Sequence, residues 1–187
     1  MHIRHDNSYS SHTNELRKMV FASLFAALTA AGAYIQIPIP VSPVPVTLQV
    51  FFVLLAGSML KSKWGSLSMI VYTLLGIAGL PVFSGGSSGL GVLLGPTGGY
   101  IFGFIIAAFL IGKLSEKAER TEKSGLAVNI LNMSIGILVI YSLGVFQLMM
   151  VAEMGLRTAV TLGALPFIPG EIIKTAIAAY IASNYKL

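Results

Sequence analysis

The feature that most constrains this chain is a series of six apolar segments that carry almost no charge. They cover residues 16–36, 48–60, 64–80, 98–114, 125–151 and 169–185. A helix needs about 20 residues to cross the hydrocarbon of a bilayer. Most of these segments are close to that length, but the second is too short to span alone. Only 10% of the residues are charged, whereas soluble domains carry about 25%. The sequence therefore predicts an all-α membrane protein with six transmembrane helices.

A polar stretch, residues 1–15, precedes the first segment and is predicted to be disordered. All three histidines lie in this stretch, at His2, His5 and His12, and cysteine is absent from the chain. The apolar segments therefore hold none of the nitrogen or sulfur ligands that transition metals prefer. We expect no metal and no cofactor, and we expect residues 16–187 to form one transmembrane domain.

The lysines and arginines are distributed unevenly between the two sides of the predicted bundle. With the N-terminus inside, ten of the twelve lie in cytoplasmic regions, and only Arg157 lies in an external loop, while Lys174 lies in the sixth segment. The ten are Arg4, Arg17, Lys18, Lys61, Lys63, Lys113, Lys117, Arg120, Lys123 and Lys186. An excess of Lys and Arg marks the cytoplasmic side. The pattern predicts a multi-pass protein of the plasma membrane with both termini inside, and it explains the net charge of +5 without nucleic acid.

The first external loop, residues 36–49, is rich in proline and in branched apolar residues. Its sequence QIPIPVSPVPVTLQ contains four prolines, each of which fixes φ and lacks an N–H donor. Such a segment is extended and stiff, and its apolar side chains favour packing onto the bundle as a lid. The alternative is a plain connection between helices that happens to contain prolines.

The second external region is the glycine-rich run FSGGSSGLGVLLGPTGGY, residues 83–100. It contains no lysine, so it does not match a P-loop, and Leu94 occupies the third glycine position of a dinucleotide fingerprint. Its leucines and valine favour burial, which argues against a disordered linker. Irregular backbone at membrane depth is tolerated where it is buried in protein or lines a cavity. We therefore expect this run to form the floor of a binding pocket.

The sixth segment begins with the charged residues Glu171 and Lys174. They are three positions apart, so they share one face of the helix. Ionisable residues in a membrane helix are costly and usually mark a functional site. A self-neutralising ion pair, or Lys174 reaching to the membrane surface, is the structural alternative.

Small residues recur every four positions on the first helix, at Ala22, Ala26 and Ala30. Such a stripe lets two helices approach closely in lipid. It serves either internal packing or the docking of another membrane protein.

Four motifs in order give the chain a specific resemblance to a known family. They are VPVTLQ at 44–49, GLPVFSGG at 79–86, GLGVLLGPTGGY at 89–100 and FIPGEIIK at 167–174. In this order, between six predicted spans, they resemble BioY, the biotin-binding S component of energy-coupling-factor (ECF) transporters. The resemblance covers nearly all of the chain after residue 15.

This resemblance implies a six-helix substrate-binding domain of the ECF S-component type, residues 16–187, with a biotin site near the outer face. It implies a lid made by the first external loop, and a stripe on the first helix that docks on a transmembrane coupling subunit of the EcfT type. A pair of cytoplasmic ATPases would drive transport. The family's biotin-binding positions correspond to Gly86, Ser87, Gly89, Tyr100, Glu171 and Lys174, and the lid residues Val44 and Val46 are expected to cover the thioether ring of biotin.

The chain departs from the family pattern at three positions. Glu171 stands where the acid is more often Asp, Ser87 where some members have Asn, and Ile101 where some have Arg. The last change removes a partner for the carboxylate of biotin, so the group that contacts each end of the ligand is left open.

Other functions remain as alternatives. The nearest is an S component for another vitamin. A membrane-embedded enzyme would have to use Glu153, Glu171 and Lys174, and the chain is not expected to be an enzyme. An ion channel is disfavoured because no filter segment repeats and a single Glu–Lys pair cancels its own field.

Overall fold

The computed structural model describes residues 6–40 and 42–185, with side chains from residue 14 onward. The elements in chain order are α1 (Asp6–Tyr34), β1 (Gln36–Ile37), β2 (Val46–Thr47), α2 (Gln49–Ile77), α3 (Leu90–Leu94), α4 (Gly98–Arg120), α5 (Leu126–Val151), α6 (Leu156–Gly163) and α7 (Ile168–Asn184). Short 3₁₀ turns lie at Ser84–Gly86 and Leu165–Phe167. Arg4, Lys186, His2 and His5, to which the sequence analysis refers, lie outside the described residues, as does Val41 in the predicted lid.

Within those residues, four helical stretches are long and apolar enough to cross a membrane. They are Asn14–Tyr34, Gly98–Arg120, Leu126–Val151 and Leu156–Asn184. Exposed leucines, isoleucines and phenylalanines cover their outer surfaces, as expected where lipid replaces water as the solvent. The coarser prediction, a mostly helical membrane protein, is confirmed.

The helix α2 contains a sharp reversal at Lys61. This residue has φ 66° and ψ −175°, which interrupts the helix between residues 49–60 and 62–77. A Cβ on Gly65 would lie 2.8 Å from the carbonyl oxygen of Ala56, although nine residues of straight helix would span about 13 Å. The two halves of α2 therefore fold back on each other, and they correspond to the second and third predicted segments.

The first helix begins earlier than the sequence predicted. It starts at Asp6, within the stretch that the sequence predicts to be disordered. This stretch contains no Pro or Gly, and extending an existing helix adds one hydrogen bond per residue without a new nucleus. A Glu15–Lys18 ion pair of 3.6 Å lies on this extension.

Two further elements differ from the sequence prediction. The helix α4 continues to Arg120, beyond the predicted end at residue 114, so much of the expected cytoplasmic connector is helical. The short helix α6 before α7 was not predicted at all. The apolar residues of α6 recur with helical spacing, so the helix is amphipathic. It was missed because the charge distribution assigned this region to an external loop.

The reversal at Lys61 packs against the C-terminal part of α4. The Glu116 carboxylate accepts hydrogen bonds from the Ser62 N–H (3.0 Å) and Oγ (2.6 Å), and Lys61 Nζ lies 2.7 Å from Glu119 Oε1. Because Lys63 Nζ also lies 4.0 Å from Glu15 Oε2, the start of α1 lies at the same end of the bundle. The basic residues of these elements therefore gather at one end, here called the basic end.

The alanine stripe of α1 faces the interior of the bundle. Ala22 and Ala26 are almost fully buried, and Ser68 Oγ from the second half of α2 donates a 2.7 Å hydrogen bond to the Ala22 carbonyl. Ala30 is half-buried and packs against the same core. The burial of Ala22 and Ala26 favours internal packing, the first of the two roles left open for Ala22, Ala26 and Ala30. The stripe lets α1 and α2 approach closely. The same four-residue spacing would suit internal packing and the docking of another protein equally well.

Candidate functional site

A pocket lies at the end of the bundle opposite the basic end. It has a volume of about 50 Å³ and is enclosed by the β1–β2 loop, α2, the glycine run, α4, α5 and α7. Its lining comprises Val44, Pro45, Thr47, Gln49, Val50, Tyr72, Phe83, Ser84, Val92, Thr97, Tyr100, Ile101, Phe104, Tyr141, Phe167, Glu171 and Lys174. A mainly apolar wall with a few placed polar groups is typical of small-molecule sites.

The proline-rich loop, residues 36–49 and here called the lid loop, covers one side of this pocket. Its ends pair as two short antiparallel strands, with Gln36 opposite Thr47 and Ile37 opposite Val46. At its tip Ser42 Oγ accepts a 3.1 Å hydrogen bond from the N–H of Val44. The side chain of Val44 is buried against the pocket, so the loop is anchored onto the bundle by both backbone pairing and apolar contact.

Glu171 and Lys174 form the polar centre of the pocket. Their side chains meet at 2.5 Å between Glu171 Oε1 and Lys174 Nζ, and only 5% and 9% of the two residues are exposed. Lys174 Nζ also donates to the Thr47 carbonyl (3.0 Å), and Tyr141 Oη donates to Glu171 Oε1 (3.0 Å). The pair is therefore neutral overall and is tied to the lid loop and to α5.

One atom of this cluster has no partner. Among the described residues Glu171 Oε2 is buried and makes no hydrogen bond, although Oε1 of the same carboxylate is shared by two donors. A buried unpaired carboxylate oxygen carries a substantial desolvation cost. A ligand with an N–H or O–H donor at this position would remove that cost.

Aromatic rings form the walls around the ion pair. Tyr72 meets Phe83 edge to face with a centroid distance of 5.6 Å, and Tyr100 meets Tyr141 in the same way at 5.8 Å. Phe167 lies 5.8 Å from the ring of Tyr141. Such pairs add about 0.5–1.5 kcal/mol beyond their buried area. The walls are therefore rigid, flat and apolar.

Hydrogen bonds from the phenols and amides hold these walls in place. Tyr100 Oη donates to the Gly163 carbonyl at the end of α6 (2.8 Å). Gln49 Nε2 donates to Tyr72 Oη (2.5 Å). The short helix α6, unpredicted from sequence, thus positions an aromatic residue of the pocket.

The glycine run packs tightly because its backbone approaches neighbouring elements. A Cβ on Gly98 would lie 1.9 Å from the Leu93 carbonyl oxygen, so only glycine fits at this position. From α5, Gln147 Nε2 donates to the carbonyls of both Leu93 and Gly95, at 2.7 Å each. The backbone of the run is therefore ordered, because close packing at Gly98 and the side chain of Gln147 both hold it in place.

A second, more open cavity adjoins the pocket on the side of the lid loop. It has a volume of about 320 Å³, and we call it the vestibule. Four residues line both cavities: Pro45, Ser84, Val92 and Thr97. The remaining lining of the vestibule is Gln36, Pro43, Ser87, Gly91, Gly95 and Pro96. The two cavities are therefore adjacent, and the vestibule is the more open of the two.

The structure brings together only part of the residue set expected from sequence. The four that line the pocket are Val44, Tyr100, Glu171 and Lys174. Ser87 lines the vestibule. The remaining three, Val46, Gly86 and Gly89, line neither cavity. Ile101, noted as a departure from the family pattern, lies in the pocket wall.

Several residues that line the pocket or hold its walls were missed from sequence. Gln49 and Gln147 are polar residues within apolar helices, and that isolation could have identified them because such groups seek partners. Tyr141 and Phe167 look like ordinary membrane aromatics in the sequence. Their role depends on the packing of α5 against α7, which no local pattern reveals.

The arrangement is suited to binding a small molecule. Among the described side chains, those of residues 14–40 and 42–185, no cluster of three or more His, Cys, Asp or Glu could hold a metal ion. What the pocket offers is an unpaired acceptor, a neutralised ammonium and flat apolar walls.

Comparisons with known proteins agree on one family. A family model described as the BioY family matches residues 6–187. A biotin transporter BioY of Thermotoga maritima is 45% identical over 174 residues, which cover 91% of this chain and 96% of that relative. A probable biotin transporter BioY of Pyrococcus horikoshii is 44% identical over 168 residues, or 90% and 95% of the two chains. Among solved structures, the S-component for biotin from an ECF-type ABC transporter matches with a TM-score of 0.86 and 28% identity, over 92% of each chain.

Proposed function

Because the chain belongs to the BioY family, we propose that its pocket binds biotin and that the protein is the membrane subunit that captures this vitamin for import. The observation that carries the proposal is the unpaired, buried Glu171 Oε2 inside an aromatic pocket. The ureido ring of biotin has two N–H donors, and its fused thioether ring is apolar. The pocket complements both properties.

We propose one orientation for the ligand. A ureido N–H donates to Glu171 Oε2, and the Lys174 ammonium contacts the ureido oxygen with the N–H that Glu171 and Thr47 leave free. The thioether ring then lies between the aromatic walls and Val44 of the lid loop. The valerate tail extends into the vestibule, because that cavity shares four lining residues with the pocket and lies beside the lid loop.

The six-span topology with both termini inside is part of this proposal. The two halves of α2 together with α1, α4, α5 and α7 supply six helical rods, and the reversal at Lys61 returns the chain to its starting side. The basic end carries Lys61, Lys63 and Lys113, and the positive-inside rule assigns it to the cytoplasm. The pocket then faces the outside of the plasma membrane, where biotin arrives.

We further propose that transport uses partner subunits. The chain has no P-loop motif to bind nucleotide, so the energy for import comes from a coupling subunit of the EcfT type and a pair of ATPases. We place their docking face elsewhere than the stripe of Ala22 and Ala26, because these two residues are buried and Ala22 contacts Ser68 of α2.

The alternatives are weakened by the same comparisons. The related proteins are named as transporters, so the chain is not a membrane-embedded enzyme. An S component for another vitamin would need relatives with another ligand, whereas the matched solved structure is described as the S-component for biotin.

Calorimetric titration of biotin tests the proposal. The protein is purified in detergent from biotin-starved cells, next to Glu171→Gln and the control Glu153→Gln. Glu153 is exposed and outside the pocket. We expect one-to-one binding that weakens by about 10- to 100-fold in Glu171→Gln, since a hydrogen bond to a charged group contributes about 1.5–3 kcal/mol. The control should bind like the wild type. Folded, ligand-free protein that gives no heat with biotin would refute the function.

A further inference from the structure

We infer that the site accepts biotin derivatives whose carboxyl group is converted to an amide nearly as well as biotin itself. The inference rests on the proposed function, and it concerns the end of the ligand that points away from Glu171. It identifies the ligand class as biotin and its neutral carboxamides.

The first observation is the absence of an available cation. Of the described residues that line the pocket and the vestibule, only Glu171 and Lys174 are charged. The Lys174 ammonium donates to Glu171 Oε1 at 2.5 Å and to the Thr47 carbonyl at 3.0 Å, and its third N–H is the one assigned above to the ureido oxygen. The positive charge is thus balanced within the protein before any ligand enters.

The second observation is the orientation that Glu171 imposes. Its unpaired Oε2 is an acceptor, so it attracts the N–H groups of the ureido ring. A ligand carboxylate at the same place would bring two like charges together in a low-dielectric environment, which is strongly unfavourable. The carboxyl end of biotin therefore lies away from the ion pair and towards the vestibule.

The third observation is that the vestibule offers neutral side-chain groups only. Its polar side chains are Gln36, Ser84, Ser87 and Thr97. Amide and hydroxyl groups hydrogen-bond to a carboxylate and to a carboxamide alike.

Three N–H groups of the glycine run are engaged within the run and are not free to bind an anion. The N–H groups of Val92, Gly95 and Gly98 already donate to carbonyls within the run, at 3.2 Å each. Anion-binding concavities depend on successive N–H groups that point at the ligand. Of the three, Val92 and Gly95 line the vestibule, and their N–H groups are already used. The difference in affinity between an ionised and a neutral tail should therefore stay below about tenfold.

The test compares biotin with biotinamide, an uncharged carboxamide of the same shape, by calorimetric titration of the full chain in detergent. We expect the Kd of biotinamide to lie within about tenfold of the Kd of biotin. Biotinyl-lysine, titrated in parallel, should also bind because the vestibule leads outward.

A cation placed at the junction of the two cavities provides the matched variant. Val92 lines both cavities, and Val92→Lys should shift the preference towards biotin over biotinamide by about fivefold or more. Ser87→Lys, at an exposed vestibule position, serves the same purpose if the first variant does not fold.

The outcomes separate the inference from the function on which it rests. If the wild type binds biotin tightly and binds biotinamide more than tenfold more weakly, the inference is wrong and biotin binding stands. If an added lysine leaves the preference unchanged, the tail does not lie in the vestibule and the structural basis given for the inference is wrong. If neither compound binds to folded protein, the proposed function itself fails.

Discussion

Replacing Lys174 by methionine should destabilise the ligand-free protein strongly, because it leaves the Glu171 carboxylate buried without its cation. The two side chains are about nine-tenths buried or more, and they meet at 2.5 Å. Breaking a buried pair by removing one partner costs about 3–5 kcal/mol. In a domain of this size, 1 kcal/mol corresponds to about 2–4 °C in melting temperature. We therefore expect Lys174→Met to melt roughly 6–20 °C below the wild type.

The double variant Glu171→Gln/Lys174→Met distinguishes an unpaired charge from lost packing. Exchanging both partners for neutral groups of similar shape is often close to neutral in stability, and Tyr141 Oη remains within reach of the new amide. The melting temperature of this variant should be close to that of the wild type, although biotin binding should remain lost. Lys63→Met is the matched control, since Lys63 is exposed and its ion pair with Glu15 measures 4.0 Å; surface pairs contribute at most about 1 kcal/mol.

The assay is thermal unfolding in detergent. The measured quantity is the fraction of protein that stays monodisperse after heating. The reasoning would be refuted if Lys174→Met melted within about 2 °C of the wild type. It would also fail if the double variant were less stable than the single one. Either result would mean that the ion pair is not the element that stabilises this end of the bundle.

Three further predictions concern the elements around the pocket. Gly98→Ala should abolish monodisperse expression because its Cβ would lie 1.9 Å from a carbonyl oxygen of α3, whereas Gly91→Ala, with open space at its Cβ, should express normally. Gln147→Leu removes two hydrogen bonds of 2.7 Å to the glycine run; it should weaken biotin binding by about 10-fold or more in calorimetry, since each lost bond costs about 0.5–1.5 kcal/mol. Glu116→Ala removes the acceptor for the Ser62 N–H and hydroxyl; it should lower the melting temperature by several degrees, at about 1–3 kcal/mol for the loss, and unchanged melting would contradict this role.

The sequence alone predicted the elements whose signal is local. Apolar length located the long helices and both halves of α2, and the three-residue spacing of Glu171 and Lys174 placed them on one face, where they pair. The glycine run was recognised as ordered backbone, and Gly98 shows the reason, since its backbone touches α3.

The sequence could not predict features that depend on which helices pack against each other. The alanine spacing at Ala22 and Ala26 is the same for an internal contact and for an external one, so only the position of α2 decides between them. Tyr141 contacts Glu171 across two helices, and neither residue carries a local sign of the other. The helical start of α1 was missed because a polar composition was equated with disorder, although a neighbouring helix can extend through it.

The hydrogen bond between Lys174 and the Thr47 carbonyl joins residues 127 positions apart in the chain. It has a consequence for the order in which the protein is made. The loop that carries Thr47 leaves the ribosome early, whereas its partner lies in the last helix, so the polar centre cannot form until synthesis is nearly complete. A nascent chain that has inserted only its first helices holds every aromatic residue of α2 but no closed site. Binding competence thus appears in a single late step, and a truncated product that lacks α7 would reach the membrane without being able to sequester the vitamin.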